Sequence, residues 1–299
     1  MRVLIAGGNG FIGAWIARRL AAKGIALRIF DIAENRRVVA AIGGAEVAAR
    51  AEWRVGDIVK GGDVLAAAEG CDGVINLAGI LTPACKDDPV RGAEINLIGT
   101  LNVFEAARRH AIERLVYTSS AGVFGPIDGR QPFPTTHYGA FKLACEGSAR
   151  AYWEDHGLAS TGFRPYIVYG PGRETGLTAG PSLACRAAAR GEAYTIPYRG
   201  SAGLVYVDDV AAAYELALLR EADGAHVFNL VGAVACNDDV VAEIRRCVPS
   251  AQISVDGPVL SITPNVEEGD VRRALSGLPD TSLRDGIAAS IEFYRRSQL

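Results

Sequence analysis

The chain has 299 residues, 49% of them hydrophobic and 22% charged, and a formal net charge of −3. This is chain enough for one large domain or two smaller ones, with a composition ordinary for a globular protein. The absence of a long basic run argues against a nucleic-acid partner, and no apolar run reaches the length of a membrane span.

An apolar run, Val3 to Ala6, stops at three evenly spaced glycines, Gly7, Gly10 and Gly13, and an amphipathic stretch over 11–22 follows. This predicts a strand, a tight turn and a helix. A second strand ends with Arg28 to Asp31, a third covers 52–55, and a fourth covers 71–78. A long helix is expected over 89–110, a fifth strand over 114–119, a helix over 138–156 and a sixth strand over 160–165. Beyond Tyr166 the alternation loosens in a Gly- and Pro-rich stretch. Helices follow over 183–190, 210–219, 237–247 and 282–296, with short strands over 194–196 and 225–230. Regular βα alternation with short apolar strands implies an α/β fold, a Rossmann-type doubly wound parallel sheet covered by helices on both faces. Residues 1–165, with a return over 202–232, are expected to form the dinucleotide-binding part. Residues 166–201 and 233–299 are expected to form a smaller α/β substrate-binding lobe.

The six cysteines (Cys71, Cys85, Cys145, Cys185, Cys236, Cys247) contain no C-x-x-C pair, and the four histidines lie at no metal-ligand spacing. No metal site is therefore expected, and a reducing, cytoplasmic compartment is the default reading.

Three clusters could carry chemistry. The glycine turn lets backbone N–H groups approach a pyrophosphate at a helix N-terminus. Asp31, 18 residues beyond Gly13, can accept both hydroxyls of an adenosine ribose and would repel a 2′-phosphate, which favours NAD; Arg36 and Arg37 just beyond leave NADP open. Tyr138-x-x-x-Lys142 is the second cluster. A spacing of four places both side chains on one helix face, where an ammonium stabilises a phenolate for proton transfer. Thr118-Ser119-Ser120 closes the fifth strand, where ligands of open α/β sheets bind. The segment Gly180-Pro-Ser182-Leu-Ala184 has the look of a hydrolase elbow, but no strand is expected before it.

Together these features resemble the extended short-chain dehydrogenase/reductase superfamily, specifically its NAD-dependent epimerase/dehydratase branch. The matching stretches are GGNGFIG (7–13), GD (56–57), NLAG (76–79), NLIGTLNVFEAA (96–107), LVYTSSAGVFG (115–125), YGAFK (138–142), FRPYIVYGPG (163–172), VYVDDVA (205–211) and LPDTSLRDGI (278–287). The resemblance implies that Gly7, Gly10 and Gly13, with Phe11 and Ile12 between them, pass the pyrophosphate. It implies that Asp31 holds the adenosine ribose, that Asp57 and Ile58 line the adenine, and that Leu77, Ala78 and Gly79 line the cofactor path with Asn96 bracing it. Thr118, Lys142 and Pro165 would flank the nicotinamide end. Tyr138 would be the catalytic acid/base, Lys142 would bind the nicotinamide ribose, and Ser120, rather than Ser119, would hold the reacting oxygen.

Two departures narrow the activity. Ala121 and Gly122 stand where sugar-nucleotide dehydratases of the family carry an Asp-Glu pair, so water elimination lacks its general acid. Arg164-Pro-Tyr-Ile167 lacks the Asn with which many nucleotide-sugar epimerases bind the substrate diphosphate. The expected function is NAD(P)-dependent oxidation, reduction or epimerisation at a secondary hydroxyl of a sugar, nucleotide sugar or similar small polar molecule. A nucleotide-sugar 4-epimerase without net cofactor turnover and a net dehydrogenase or reductase of a non-nucleotide substrate are the alternatives. A non-catalytic dinucleotide sensor is a distant one. The resemblance also implies a homodimer formed through the helices over 89–110 and 138–156.

Overall fold

A computed structural model describes residues 1–260, 266–297 and 299. Its centre is a seven-stranded sheet. Six of the strands are β1 (Arg2–Ala6), β2 (Ala26–Asp31), β3 (Glu52–Val55), β4 (Gly73–Asn76), β5 (Arg114–Thr118) and β6 (Ser160–Pro165). The seventh is Ala225–Leu230, and the spatial order is Ala225–Leu230, β6, β5, β4, β1, β2, β3. Every pairing is parallel. The chain builds outward from β1 to β3, then returns to the other side of β1 to lay down β4. The strand order therefore reverses between β1 and β4, and a crevice opens there beyond the carboxyl ends.

Burial explains the apolar strand sequences. Val3, Leu4, Ile5 and Ala6 are all 0% exposed. Alternation sends Val3 and Ile5 into one core and Leu4 and Ala6 into the other, one on each face of the sheet. The first core is covered by the helices Phe11–Ala22 and Val207–Leu219, which pack on one another. The second lies under Gly61–Ala68, Gly99–Arg109 and His137–His156. Gly13 makes the first covering possible: a Cβ there would sit 2.7 Å from the Gly8 carbonyl oxygen.

The stretch expected as one helix over 89–110 is interrupted. It runs as Pro89–Ala93, then a π turn over Glu94–Ile98, then Gly99–Arg109. The π turn widens the helix at Asn96, beside the crevice, a common setting for such turns.

The C-terminal part adds two small sheets. Ile167–Tyr169, Ser201–Tyr206 and Ala233–Cys236 form one of them, with Ser201–Tyr206 in the middle. Tyr194–Ile196 pairs with Ile253–Val255 in the other. Of the expected return over 202–232, only Ala225–Leu230 joins the large sheet; Ser201–Tyr206 pairs in the small one. Helices Gly180–Arg190, Asn237–Cys247 and Leu283–Arg296 pack beside these strands. The Trp15 indole N–H donates to the Pro171 carbonyl oxygen at 2.9 Å, and the Gly172 N–H donates to Tyr294 Oη at 3.0 Å, so the lobe is stitched to the first helix of the sheet and to the last helix of the chain.

Candidate active site

The crevice at the strand reversal is a cavity of about 430 Å³. Gly7, Gly10, Asp31, Asp57, Ile58, Leu77, Ala78 and Gly79 line it, as does Asn9. Gly7 has a φ of +76°, and a Cβ on it would lie 2.6 Å from the Ala78 N, so both backbone and space demand glycine. Gly10 is different: its extended backbone would admit other residues, and a Cβ would meet only the Gly7 carbonyl oxygen at 3.4 Å. A bare Gly10 leaves room for a ligand to come close to the N-terminus of the helix Phe11–Ala22.

Asp31 ends β2 on the rim of this cavity. Its carboxylate accepts hydrogen bonds from the Asn9 N–H at 3.1 Å and its neighbour Ile32 N–H at 2.8 Å. Burial nevertheless pushes its pKa above the ordinary aspartate value. The two cations beyond it are both engaged. Arg36 pairs with Glu34 at 2.6 Å and lies over the Trp53 ring, and Arg37 pairs with Glu174. A carboxylate acceptor with no free guanidinium beside it fits the two hydroxyls of an unphosphorylated ribose. The residues present thus fit a dinucleotide of the NAD type.

Other residues named from the sequence take supporting places. Phe11 and Ile12 are partly buried against the core. Asn96 is fully buried; its side-chain N–H groups donate to the Ile80 and Gly92 carbonyl oxygens, each at 3.1 Å, which holds the loop after β4. Its Oδ1 has no hydrogen-bond partner among the described residues. Thr118 spends its hydroxyl on the Asn76 carbonyl oxygen at 2.9 Å, so its contribution to the site is its own carbonyl. Pro165 ends β6, buried, two strands from β4. The sequence reading assigned no role to Phe30, Ile32, Gly56, Ile80, Arg91 and Ile95, which also line the cavity. Of these Arg91 carried no local signal. It reaches the groove from a different helix and pairs with Asp57 at 3.5 Å and Glu94 at 3.0 Å.

The second cluster stands on the helix His137–His156. Thr136 caps its start, its hydroxyl accepting from the Gly139 N–H at 3.1 Å. His137 stacks on Phe141. Tyr138, Lys142 and Glu146 follow at intervals of four, on one face. Lys142 is 3% exposed, donates to the Thr118 carbonyl oxygen at 2.8 Å and holds its ammonium 5.7 Å from the centre of the Tyr138 ring. Glu146 is wholly buried and forms an ion pair with Arg164 of β6. Ser119 donates its hydroxyl to the same carboxylate.

That bond separates the two candidate serines. Ser119 is buried and turned to Glu146, whereas Ser120 Oγ accepts from the Gly122 N–H at 3.0 Å and caps the short turn Ala121–Val123. A Cβ on Gly122 would lie 3.3 Å from Ser120 Oγ and 3.8 Å from the Tyr138 ring, so the two side chains face one small space. Gly139 keeps the helix tight on this turn: its Cβ would sit 2.3 Å from the Gly122 carbonyl oxygen. The elbow-like segment has no comparable geometry. Ser182 is buried inside the helix Gly180–Arg190 and accepts from the Gly170 N–H at 3.0 Å. No group of three His, Cys, Asp or Glu side chains among the described residues could hold a metal ion.

Residues 3–231 match the NAD dependent epimerase/dehydratase family. A UDP-glucose 4-epimerase of Mycolicibacterium smegmatis is 31% identical, with 99% of both chains covered. A uronate dehydrogenase of Pseudomonas syringae pv. tomato is 29% identical over 54% of this chain and 58% of its own. Among solved structures, the UDP-glucose 4-epimerase of Thermus thermophilus in complex with NAD superposes with a TM-score of 0.84 at 24% identity, covering 99% of both chains. A glycine turn at the strand reversal, an acceptor at the end of β2, and a Tyr-Lys pair over the end of β5 are what an enzyme using NAD to work on a hydroxyl requires. The chain belongs to the NAD-dependent epimerase/dehydratase family of the extended short-chain dehydrogenases/reductases.

Proposed function

We propose that the protein oxidises a secondary hydroxyl of a sugar or nucleotide sugar at Ser120 and Tyr138, with NAD rather than NADP as its cofactor. The observation that carries this reading is the convergence of Ser120 and Tyr138 on one small space with the Lys142 ammonium beside the ring. NAD, when bound, supplies the hydride acceptor. Ser120 holds the substrate oxygen, and Tyr138 takes its proton. Lys142, clamped by the Thr118 carbonyl, keeps a positive charge next to the phenol as negative charge develops there. The UDP-glucose 4-epimerase relative, alike along its whole length, supports an epimerase that returns the hydride to its substrate. The uronate dehydrogenase relative, alike over about half, supports net oxidation. Purified protein with NAD and a panel of UDP-sugars, uronic acids and free aldoses separates them: NADH accumulates in a dehydrogenase, whereas sugar products appear without it in an epimerase. Tyr138→Phe should lower turnover on the accepted substrate by about 10²–10⁴-fold. Unchanged turnover would refute the assignment.

Residues 1–165 with 207–230 serve, in this reading, as the dinucleotide-binding part, and the remainder selects substrate. At the sheet's second face the interrupted helix over 89–109 leaves Val90 (72%) and Ile98 (43%) exposed, which supports a homodimer formed there with the helix His137–His156. No described helix is long and apolar enough to cross a membrane. Six free thiols, four of them buried, suit a reducing cytoplasm.

A further inference from the structure

Among the described residues that line the cofactor cavity, Arg91 is the sole cation, and no role above uses it. The order of the sheet says which part of the cavity it faces. The glycine turn that takes the pyrophosphate follows β1, Asp31 ends β2, and Gly56 to Ile58 follow β3, the outermost strand. A nucleoside with its phosphate at the turn and its ribose at Asp31 therefore lays its base against the residues after β3. Arg91 Nη2 lies 3.5 Å from Asp57 Oδ2, at that end.

Three contacts fix Arg91 there. Asp88 starts the short helix Pro89–Ala93 by accepting from the Arg91 N–H at 2.9 Å. Glu94, one turn on, pairs with Nη1 at 3.0 Å, and Asp57 pairs with Nη2. Stability does not account for this arrangement. The Arg91 side chain is 42% exposed, and ion pairs so open to water contribute little. Asp57 has another partner as well, since its Oδ1 accepts from the Val59 N–H at 3.1 Å. The surroundings are apolar. Ile58 follows Asp57, Ile95 stands four residues beyond Arg91, and the Phe30 ring lies 2.5 Å from where a Cβ on Gly56 would be. Ile32, on the rim beside Asp31, is 65% exposed. Apolar walls suit the faces of a purine, and a guanidinium is planar, weakly hydrated and stacks on aromatic faces.

We propose that Arg91 is a binding residue for the base half of the cofactor, its guanidinium anchored by Asp57 and Glu94 and stacked on the adenine. The inference rests on the dinucleotide reading of this cavity and is independent of the chemistry at Tyr138.

Displacement of bound NADH, followed by its fluorescence, tests this with adenosine, ADP-ribose and nicotinamide mononucleotide as competitors. In Arg91→Met, which keeps the length of the side chain and loses the charged plane, adenosine and ADP-ribose should each bind about 3–30-fold more weakly, by a common factor. Nicotinamide mononucleotide should bind as before. Arg91→Lys should recover only part of the loss, because an ammonium has no plane to stack. Phenylglyoxal labelling of the unmutated protein, read by peptide mapping, needs no variant: adenosine should shield Arg91, and nicotinamide mononucleotide should not. A loss confined to ADP-ribose, with adenosine unchanged, would move Arg91 to the pyrophosphate and overturn the proposal. Full affinity of Arg91→Met for adenosine, or labelling of Arg91 that adenosine leaves unaltered, would also overturn it. NADH binding that is normal in both proteins would remove this inference alone, whereas no NADH binding by the unmutated protein would remove the dinucleotide reading with it.

Discussion

Ser119 and Ser120 are adjacent, chemically identical and differently placed. Ser119 completes a buried carboxylate that Arg164 alone would leave short of a donor, so Ser119→Ala should cost about 1.5–3 kcal/mol in urea unfolding and change turnover little. Ser120→Ala should do the opposite, lowering turnover by roughly 10²–10³-fold with stability nearly intact. A reversed pattern would move the reacting oxygen to Ser119. Asp31 makes a second residue-scale case. Burial raises its pKa, so on acidification it takes up its proton before an ordinary exposed aspartate does. Only the ionised carboxylate can accept from both ribose hydroxyls, so NAD affinity should be full at neutral pH and fall as pH drops, starting above the ordinary aspartate value. Asp31→Asn should bind NAD more weakly and lose that pH dependence, as titration across weakly acidic buffers would show. These residues were legible because each announces itself by local spacing: glycines between a strand and a helix, an acid at a strand end, a Tyr and a Lys one helical turn apart. Arg91 was not: it lies outside the matched stretches, and its pairing with Asp57 comes from the fold alone.

At the scale of elements, a row of side chains fixes the height and rotation of the helix His137–His156 over β5 and β6. Lys142 ties it to the end of β5, and Glu146 ties it to Arg164 of β6 and to Ser119. The cation of that pair also lies over the Phe124 ring, just past the turn that carries Ser120. Glu146→Ala would leave a desolvated guanidinium without its partner and should destabilise the protein by about 3–5 kcal/mol in chemical denaturation. A loss under 1 kcal/mol would show that water reaches the pair. Sequence reading placed the helix and two of its three inward residues, since the spacing of Tyr138 and Lys142 is a helical signal. Glu146 continues the same spacing but gains its meaning only from β6. The π turn at Asn96 was equally hidden: its residues suit an α-helix, and the widening comes from what the side chain must reach, the Ile80 and Gly92 carbonyls.

Across the whole molecule, one apolar core extends from Val3 and Ile5 in the sheet to Ile287 and Tyr294 in the last helix. Asp209, on a helix that covers the sheet, accepts from both the N–H and the hydroxyl of Thr281 at 2.7 Å, which anchors the chain just before that last helix. The C-terminal part is thus joined to the large sheet by a shared core and by this anchor. The opposite face is where a second copy is proposed to sit. Ile98→Arg or Val90→Arg should shift the protein from dimer to monomer in light scattering after size exclusion, with NAD binding retained. An unchanged mass in both variants, or a monomer to begin with, would refute that interface.

The sequence by itself determined the α/β alternation, the order of the sheet's first six strands along the chain and a dinucleotide site that favours NAD. These depend on short-range pattern: apolar runs, turn glycines, a helical repeat. Only the tertiary structure decided where Ser201–Tyr206 pairs, that Ser119 turns to Glu146, and that Arg36 and Arg37 are engaged by acids. A strand's partners are a long-range matter: Ser201–Tyr206 pairs with Ile167–Tyr169 and Ala233–Cys236, far from it in sequence. The state of a charge is set by neighbours more than a hundred residues away, as Glu174 shows by turning to Arg37.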